Sequence, residues 1–198
     1  ELLTEGGEQQ VSFGSARYDL EVVDEQSFSS FGAQVCYPYE TKGLIDVCIK
    51  PKDSKETLCN PSGEKIVDGS VSGAPVQITS LTEEQVGTDK VKFTFIIQNK
   101  GKGDVYSASS KCEDIEKTTL NFDKDKINVN IINPTNIKCA FGGTESNTGE
   151  IVLTAGTKTF TCWLDAKNTY AEKLNIKLNY KYIDTVTKQI TIVGNLPS

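Results

Sequence analysis

Residues 35–49 read VCYPYETKGLIDVCI, and residues 178–192 read LNYKYIDTVTKQITI. Laid on one another without a gap, they place Tyr37 on Tyr180, Tyr39 on Tyr182, Val47 on Ile190 and Ile49 on Ile192. Each stretch has an alternating apolar run, a short polar interval and a second alternating run. Side chains in a strand point to opposite faces in turn, so each copy reads as a half-buried β-hairpin. One face carries Val35, Tyr37, Tyr39, Ile45, Val47 and Ile49, and its counterpart carries Leu178, Tyr180, Tyr182, Ile190 and Ile192. Thr187 and Lys188 interrupt the second copy near its turn. Each copy is expected to be the closing hairpin of a β-sandwich.

Working outward, residues 1–50 resemble the end of a domain more than a whole one. GEQQVSF at 7–13 aligns with GTKTFTC at 156–162, a turn glycine followed by an alternating strand. So few strands cannot close a core unaided. Their apolar face must be covered by the second domain, a neighbouring subunit or sequence outside 1–198. Residues 51–74 read as a linker, with Pro51, Pro61, Gly63, Gly69 and Gly73 among Lys, Asp and Ser, stapled down by Cys59. Residues 75–198 read as a complete unit, with strands expected at 76–78, 91–97, 104–106, 117–122, 127–132, 136–141, 150–154, 158–164, 174–182 and 187–193. Asn99-Lys-Gly101-Lys-Gly103 is a turn whose glycines suit positive φ. No stretch keeps a 3.6-residue apolar period, so helix is expected to be minor. Many short strands with turn signals between them indicate an all-β, immunoglobulin-like sandwich.

VKFTFIIQNKGKGDVYS at 91–107 and LNIKLNYKYIDTVTKQITI at 174–192 resemble the immunoglobulin-like modules of archaeal secreted and cell-surface proteins of the CARDB (cell-adhesion-related) kind. In those a strand ends in an Asn-x-Gly turn and the domain closes on a Tyr-x-Tyr strand. The resemblance covers most of residues 33–195. It implies a fold and an extracellular location and transfers no catalytic residue.

The chain of 198 residues has 21 Lys plus Arg against 27 Asp plus Glu, a net charge of −6. An acidic balance without a basic block argues against nucleic acid and against docking on anionic membranes. No apolar run is long enough to span a bilayer, so no membrane insertion by this segment is expected. Starting at Glu1 without a signal-like run, the chain reads as a processed mature protein or an excerpt of a longer one.

There are six Cys, no His and no Met. Neither CxxC nor Cys/His spacing occurs, so disulfides are favoured over zinc, and with them an extracellular compartment. With the first hairpin turn centred on Lys42, Cys36 opposes Cys48 on the outer face and is expected to pair with it. Cys139 and Cys162 lie on successive strands and make a second pair, which leaves Cys59 with Cys112. The main rival pairing is Cys48–Cys59.

Without histidine, Ser-His-Asp triads, Cys-His dyads and HExxH zinc sites are excluded within this chain. Two paired carboxylates, Glu83-Glu84 and Glu113/Asp114, are expected on loops, as solvated charge. Asn121, Asp123 and Asp125 place oxygens at alternating positions as calcium loops do, but they lack the following glycine and the distal Glu. A solvent-facing charged edge is the plainer reading of that trio. Proline blocks both glycosylation outlines, Asn60-Pro-Ser62 and Asn133-Pro-Thr135. Trp163, the sole tryptophan, is expected to pack on a disulfide in or beside the core; an exposed one would suit carbohydrate stacking.

The expected role is therefore a non-enzymatic extracellular structural or adhesion module of a cell-surface or filament protein. It would use no cofactor, would have protein partners including copies of itself, and would assemble by β-strand addition. The alternatives are a carbohydrate- or calcium-binding sandwich, or an accessory domain of an exported complex.

Overall fold

A computed structural model of the chain describes residues 10–12, 14–15, 26–115 and 122–192, the side chains of 26–30 and 192 apart. The expected strand at 117–122 lies almost wholly outside these residues. The described elements run in order β1 (Gln26–Ile49), β2 (Gly63–Glu64), β3 (Val76–Val86), β4 (Lys90–Asn99), β5 (Asp104–Ser107), α1 (Cys112–Ile115), β6 (Lys126–Asn133), β7 (Lys138–Phe141), β8 (Thr144–Ser146), β9 (Thr148–Val152), β10 (Thr157–Asp165) and β11 (Tyr170–Ile192). The fold is all-β, with two antiparallel sheets and no closed barrel. One sheet has the order β1-β11-β6-β9, with β5 also on β11; the other has the order β2-β3-β4-β10-β7-β8. The chain divides into two compact units, Val35–Asp184 and the two chain ends, 1–34 with 185–198. Breaks expected after residues 50 and 74 both fall inside the larger unit.

The two aligned copies are not hairpins. Each is the C-terminal part of one long strand, and the two strands are neighbours in the same sheet. They run in opposite directions, so the copies meet crossed. Tyr39 stacks on Tyr180 with ring centroids 5.7 Å apart, and Tyr37 meets Tyr182 edge-on at 6.1 Å. Further along, Lys173 Nζ reaches Asp46 Oδ1 at 2.7 Å. A three-residue turn and an unbroken strand put the same odd-numbered residues on one face, so periodicity alone does not separate them. Thr41 and Gly43, read as turn residues, belong to that inward row and are both buried. Gly43 is required by close approach, because a Cβ there would lie 2.8 Å from Ile176 Cγ2 and 2.9 Å from Ile78 Cδ1. In the second copy, Thr185, Val186 and Thr187 are β-branched and suit an extended chain.

Within the larger unit the sheets close on one core. β1 contributes Ile45, Val47 and Ile49, which pack with Phe93, Phe95 and Ile97 of β4, Ile127, Val129 and Ile131 of β6, and Ile176 and Leu178 of β11. The inward row from Thr41 to Ile49 is thus buried by its own chain, with Tyr37 and Tyr39 packed against the core and Val35 exposed. On the other side of the five-stranded sheet, Tyr106, Ile115 and Ile183 form a small second cluster against Cys36, and α1 supplies its cover.

The segment 51–74 is built into the sandwich. Leu44 N donates to Ser70 O at 2.8 Å, Ser72 N to Lys42 O at 2.8 Å, and Lys65 N to Leu81 O at 2.8 Å. It therefore occupies the outer edge of β1 beside residues 42–44. Nearer the start of the strand, edge position 38 is a proline, which offers no N–H to an incoming strand.

In the smaller unit, β1 and β11 contribute Gln26–Gln34 and Thr185–Ile192. Gln34 Nε2 donates to Thr185 Oγ1 at 3.4 Å, and Phe31, Val186 and Ile190 are exposed.

Candidate interaction surface and its supports

Among the described elements β1 alone carries two disulfides. Cys36 pairs with Cys112, Cys48 with Cys59, and Cys139 with Cys162. The expected Cys36–Cys48 and Cys59–Cys112 bridges do not form, and the rival Cys48–Cys59 does. The reason is the straight strand: twelve residues at roughly 3.3 Å each put Cys36 and Cys48 roughly 40 Å apart, far beyond a disulfide. Cys139 and Cys162 are direct cross-strand partners with Cα atoms 3.9 Å apart.

Glu83 is the residue that sequence reading misplaced most. It sits on β3, not on a loop, and faces inward with Leu81. A register shift between Ile78 and Ser80 swaps the parity of the strand, so Leu81 and Glu83 share the face that Ile78 began. The signal was the Leu81-x-Glu83 spacing, legible only once the strand is carried past the bulge. Both carboxylate oxygens of Glu83 accept from Cys48 N at 3.1 Å, and Lys65 Nζ lies 2.9 Å from Oε2. Lys65 Nζ also donates to Asn60 O at 2.6 Å. Burial pushes the Glu83 carboxyl above its ordinary range, against the pull of Lys65 and the Cys48 N–H. One buried carboxylate thus joins β1, β3 and the 51–74 segment.

The tyrosines do the same work at the other end. The Tyr180 hydroxyl accepts from Val76 N at 3.2 Å and lies 3.2 Å from Thr41 Oγ1, which itself donates to Val76 O at 2.6 Å. Burial pushes the Tyr180 phenol up to about 12. Gly103 N donates to the Tyr182 hydroxyl at 2.7 Å. Neither Gly101 nor Gly103 has the expected positive φ. They are glycines because a Cβ on Gly101 would meet the Tyr182 hydroxyl, and one on Gly103 the Ile183 carbonyl.

The remaining sequence candidates disperse. Asn121 lies outside the described residues. Asp123 Oδ1 accepts from Lys126 Nζ and Oδ2 from Ser110 Oγ, each at 3.3 Å. Asp125 has φ of 62°, and burial raises its carboxyl, opposed by Lys124 and assisted by Asp104. Among the described residues no three acidic or cysteine side chains gather as a cation would need. Glu84 is on β3 with Glu83 but points outward, where it pairs with Lys92. Glu113 and Asp114 are in α1. Trp163 does not pack into the core: its neighbours Cys162 and Leu164 do, leaving the indole half-buried on the outward face of the six-stranded sheet.

Among the described residues no helix is long and apolar enough to cross a membrane. No family model, no curated protein and no solved structure matches this chain.

Proposed function

We propose that this chain is a non-enzymatic extracellular structural or adhesion module, of the cell-surface or filament kind that its Asn-x-Gly and Tyr-x-Tyr motifs resemble. The observation that carries the reading is how β1 is held. This strand carries two of the three disulfides, to α1 and to the 51–74 segment, and Glu83 caps its Cys48 N–H from the opposite sheet. Such fastening suits a module that must keep its shape in an oxidising setting, where disulfides persist. All six cysteines are paired, which supports the same compartment. Because the inward row from Thr41 to Ile49 is buried within the chain, self-assembly by strand addition would rest on backbone edges and not on an open apolar sheet there.

Two measurements test this. Alkylating the protein as it comes from its source cells, before any reduction, should label none of its six cysteines; labelled thiols would remove the extracellular assignment. Sedimentation velocity over a wide concentration range should show association of the oxidised chain. A strict monomer throughout would discard self-assembly and leave adhesion to other molecules.

A further inference from the structure

The two longest strands bring the chain in and take it out at the same place. β1 begins at Gln26 and β11 ends at Ile192, and the two are antiparallel neighbours. Their cross-strand contacts keep one register: Asp46 with Lys173, Tyr39 with Tyr180, Tyr37 with Tyr182 and Gln34 with Thr185, one index rising by as much as the other falls. Carried onward, that register sets Ala33 beside Val186 and Phe31 beside Lys188. The division between the two compact units cuts both strands at this point, after Gln34 on β1 and before Thr185 on β11.

What holds the pair together differs on the two sides of that division. The inward row of β1 from Thr41 to Ile49 is buried, as are Leu174, Ile176, Leu178, Tyr180 and Tyr182 of β11. In the ribbon formed by Gln26–Gln34 and Thr185–Ile192 none of the described side chains is buried, and Phe31, Val186 and Ile190 are exposed. A two-stranded ribbon without a buried face is marginal in water, and such elements open ahead of a core. The larger unit is bolted where the ribbon ends. Cys36, its second residue on β1, is bonded to Cys112, and Ile115 of the same helix is buried with Tyr106 and Ile183.

Hydrogen bonds between antiparallel strands lie across the strands. A pull that separates Gln26 from Ile192 therefore loads them one after another from the end, as a zipper, and each yields alone. At Cys36 the line of tension changes. The disulfide passes it straight to Cys112, and residues 37–111, with the core rows of β1, β3 and β4, drop out of the loaded path. We propose that the ribbon is a slack of fixed length released by tension, and that the Cys36–Cys112 bridge is its stop. Nine residues of β1 and eight of β11, drawn out at about 3.5 Å each, give about 60 Å. A module built this way lengthens under load and retracts without exposing its core. The inference goes beyond the structural role and requires only that the chain be loaded from both sides.

The test is an optical-tweezers measurement on the oxidised full chain. DNA handles are clicked to Gln26→azidophenylalanine and Ile192→azidophenylalanine, which leaves all six cysteines in place. The first event should be a reversible gain of about 60 Å in contour length, at a force below that of any later event. Two double variants tell the bridge that bears load from the other bridge on β1. Cys36→Ala/Cys112→Ala should lower the force of the second event, because unzipping then runs on past position 36. Cys48→Ala/Cys59→Ala should leave that force unchanged, since both residues lie within the bypassed stretch, whatever happens to its melting temperature. A first event that takes the whole sandwich with it, or a first gain well beyond about 60 Å in the oxidised chain, would overturn the proposal even if neither variant folds. So would an equal fall of the second force in both variants.

Discussion

Replacing Lys65 with methionine should do more damage than its place in a proline- and glycine-rich segment suggests. The Lys65 side chain is 13% exposed and that of Glu83 0%, so solvent screens the pair little. Lys65→Met keeps the length and apolar stem of the side chain and strands the Glu83 carboxylate inside the sandwich, supported only by the Cys48 N–H. Breaking one partner of a buried ion pair costs about 3–5 kcal/mol. With a urea slope of about 2 kcal/mol per M, that is a midpoint lowered by about 2 M, measured with disulfides intact. Glu83→Gln should cost less, since the amide oxygen still accepts from Cys48 N and Lys65 still donates to Asn60 O. The pH dependence gives a second readout. The folded state raises the Glu83 carboxyl above 4.5, so it holds a proton that the unfolded chain has released. Stability from this group is therefore greatest at low pH and falls as pH rises from 4.5 through the folded value. Lys65→Met should widen that window upward, and Glu83→Gln should erase it. A Lys65→Met midpoint equal to that of the unaltered chain at neutral pH, or a larger loss in Glu83→Gln than in Lys65→Met, would refute a charged, paired Glu83.

Other expectations follow from the same contacts. Tyr180→Phe removes the acceptor for the buried Val76 N–H and should lower stability by about 1–3 kcal/mol in denaturant unfolding; the phenol itself should resist ionisation until about pH 12 in an ultraviolet titration. Gly101→Ala drives a Cβ onto the Tyr182 hydroxyl, for a loss of about 2 kcal/mol that Tyr182→Phe should partly relieve. The Cys36→Ala/Cys112→Ala double variant opens a bridge spanning 76 residues, worth about 4 kcal/mol by loop entropy, and should speed amide exchange in residues 37–41 before the rest of the sandwich. Carboxylates whose range the fold lowers act in the opposite sense to Glu83. Burial raises Glu64, but bonds from the Ser80 hydroxyl and from Leu81, Ile66 and Lys65 N–H groups outweigh it. Its contribution is present above 4.5 and is lost as acid protonates it. A Glu64→Gln variant should therefore lose less stability than the unaltered chain on passing below pH 4.

The alternating runs and turn residues determined the class on their own. A period of two over Val91–Ile97, Ile127–Ile131, Phe160–Leu164 and Leu174–Tyr182 leaves no solution but half-buried strands, and the core uses those residues. Cysteine content without histidine likewise pointed to disulfide chemistry, and the expected Cys139–Cys162 bridge forms, across β7 and β10, which are neighbours in the sheet though not successive in the chain. Parity is a local property, however, and it is unchanged whether a chain turns back or runs straight through an odd-length interval. Only the tertiary structure decided that Thr41 and Gly43 continue β1, because the space beside Gly43 is taken by Ile176 and Ile78 from distant parts of the chain. Everything that depends on this strand followed: the crossed tyrosine pairs, the exchange of disulfide partners, and a sandwich completed from within. The inward turn of Glu83 and the outward turn of Trp163 were decided in the same way. A bulge in β3 fixes the first, and the cross-strand disulfide beside it on β10 fixes the second, since both side chains take whichever face their neighbours leave.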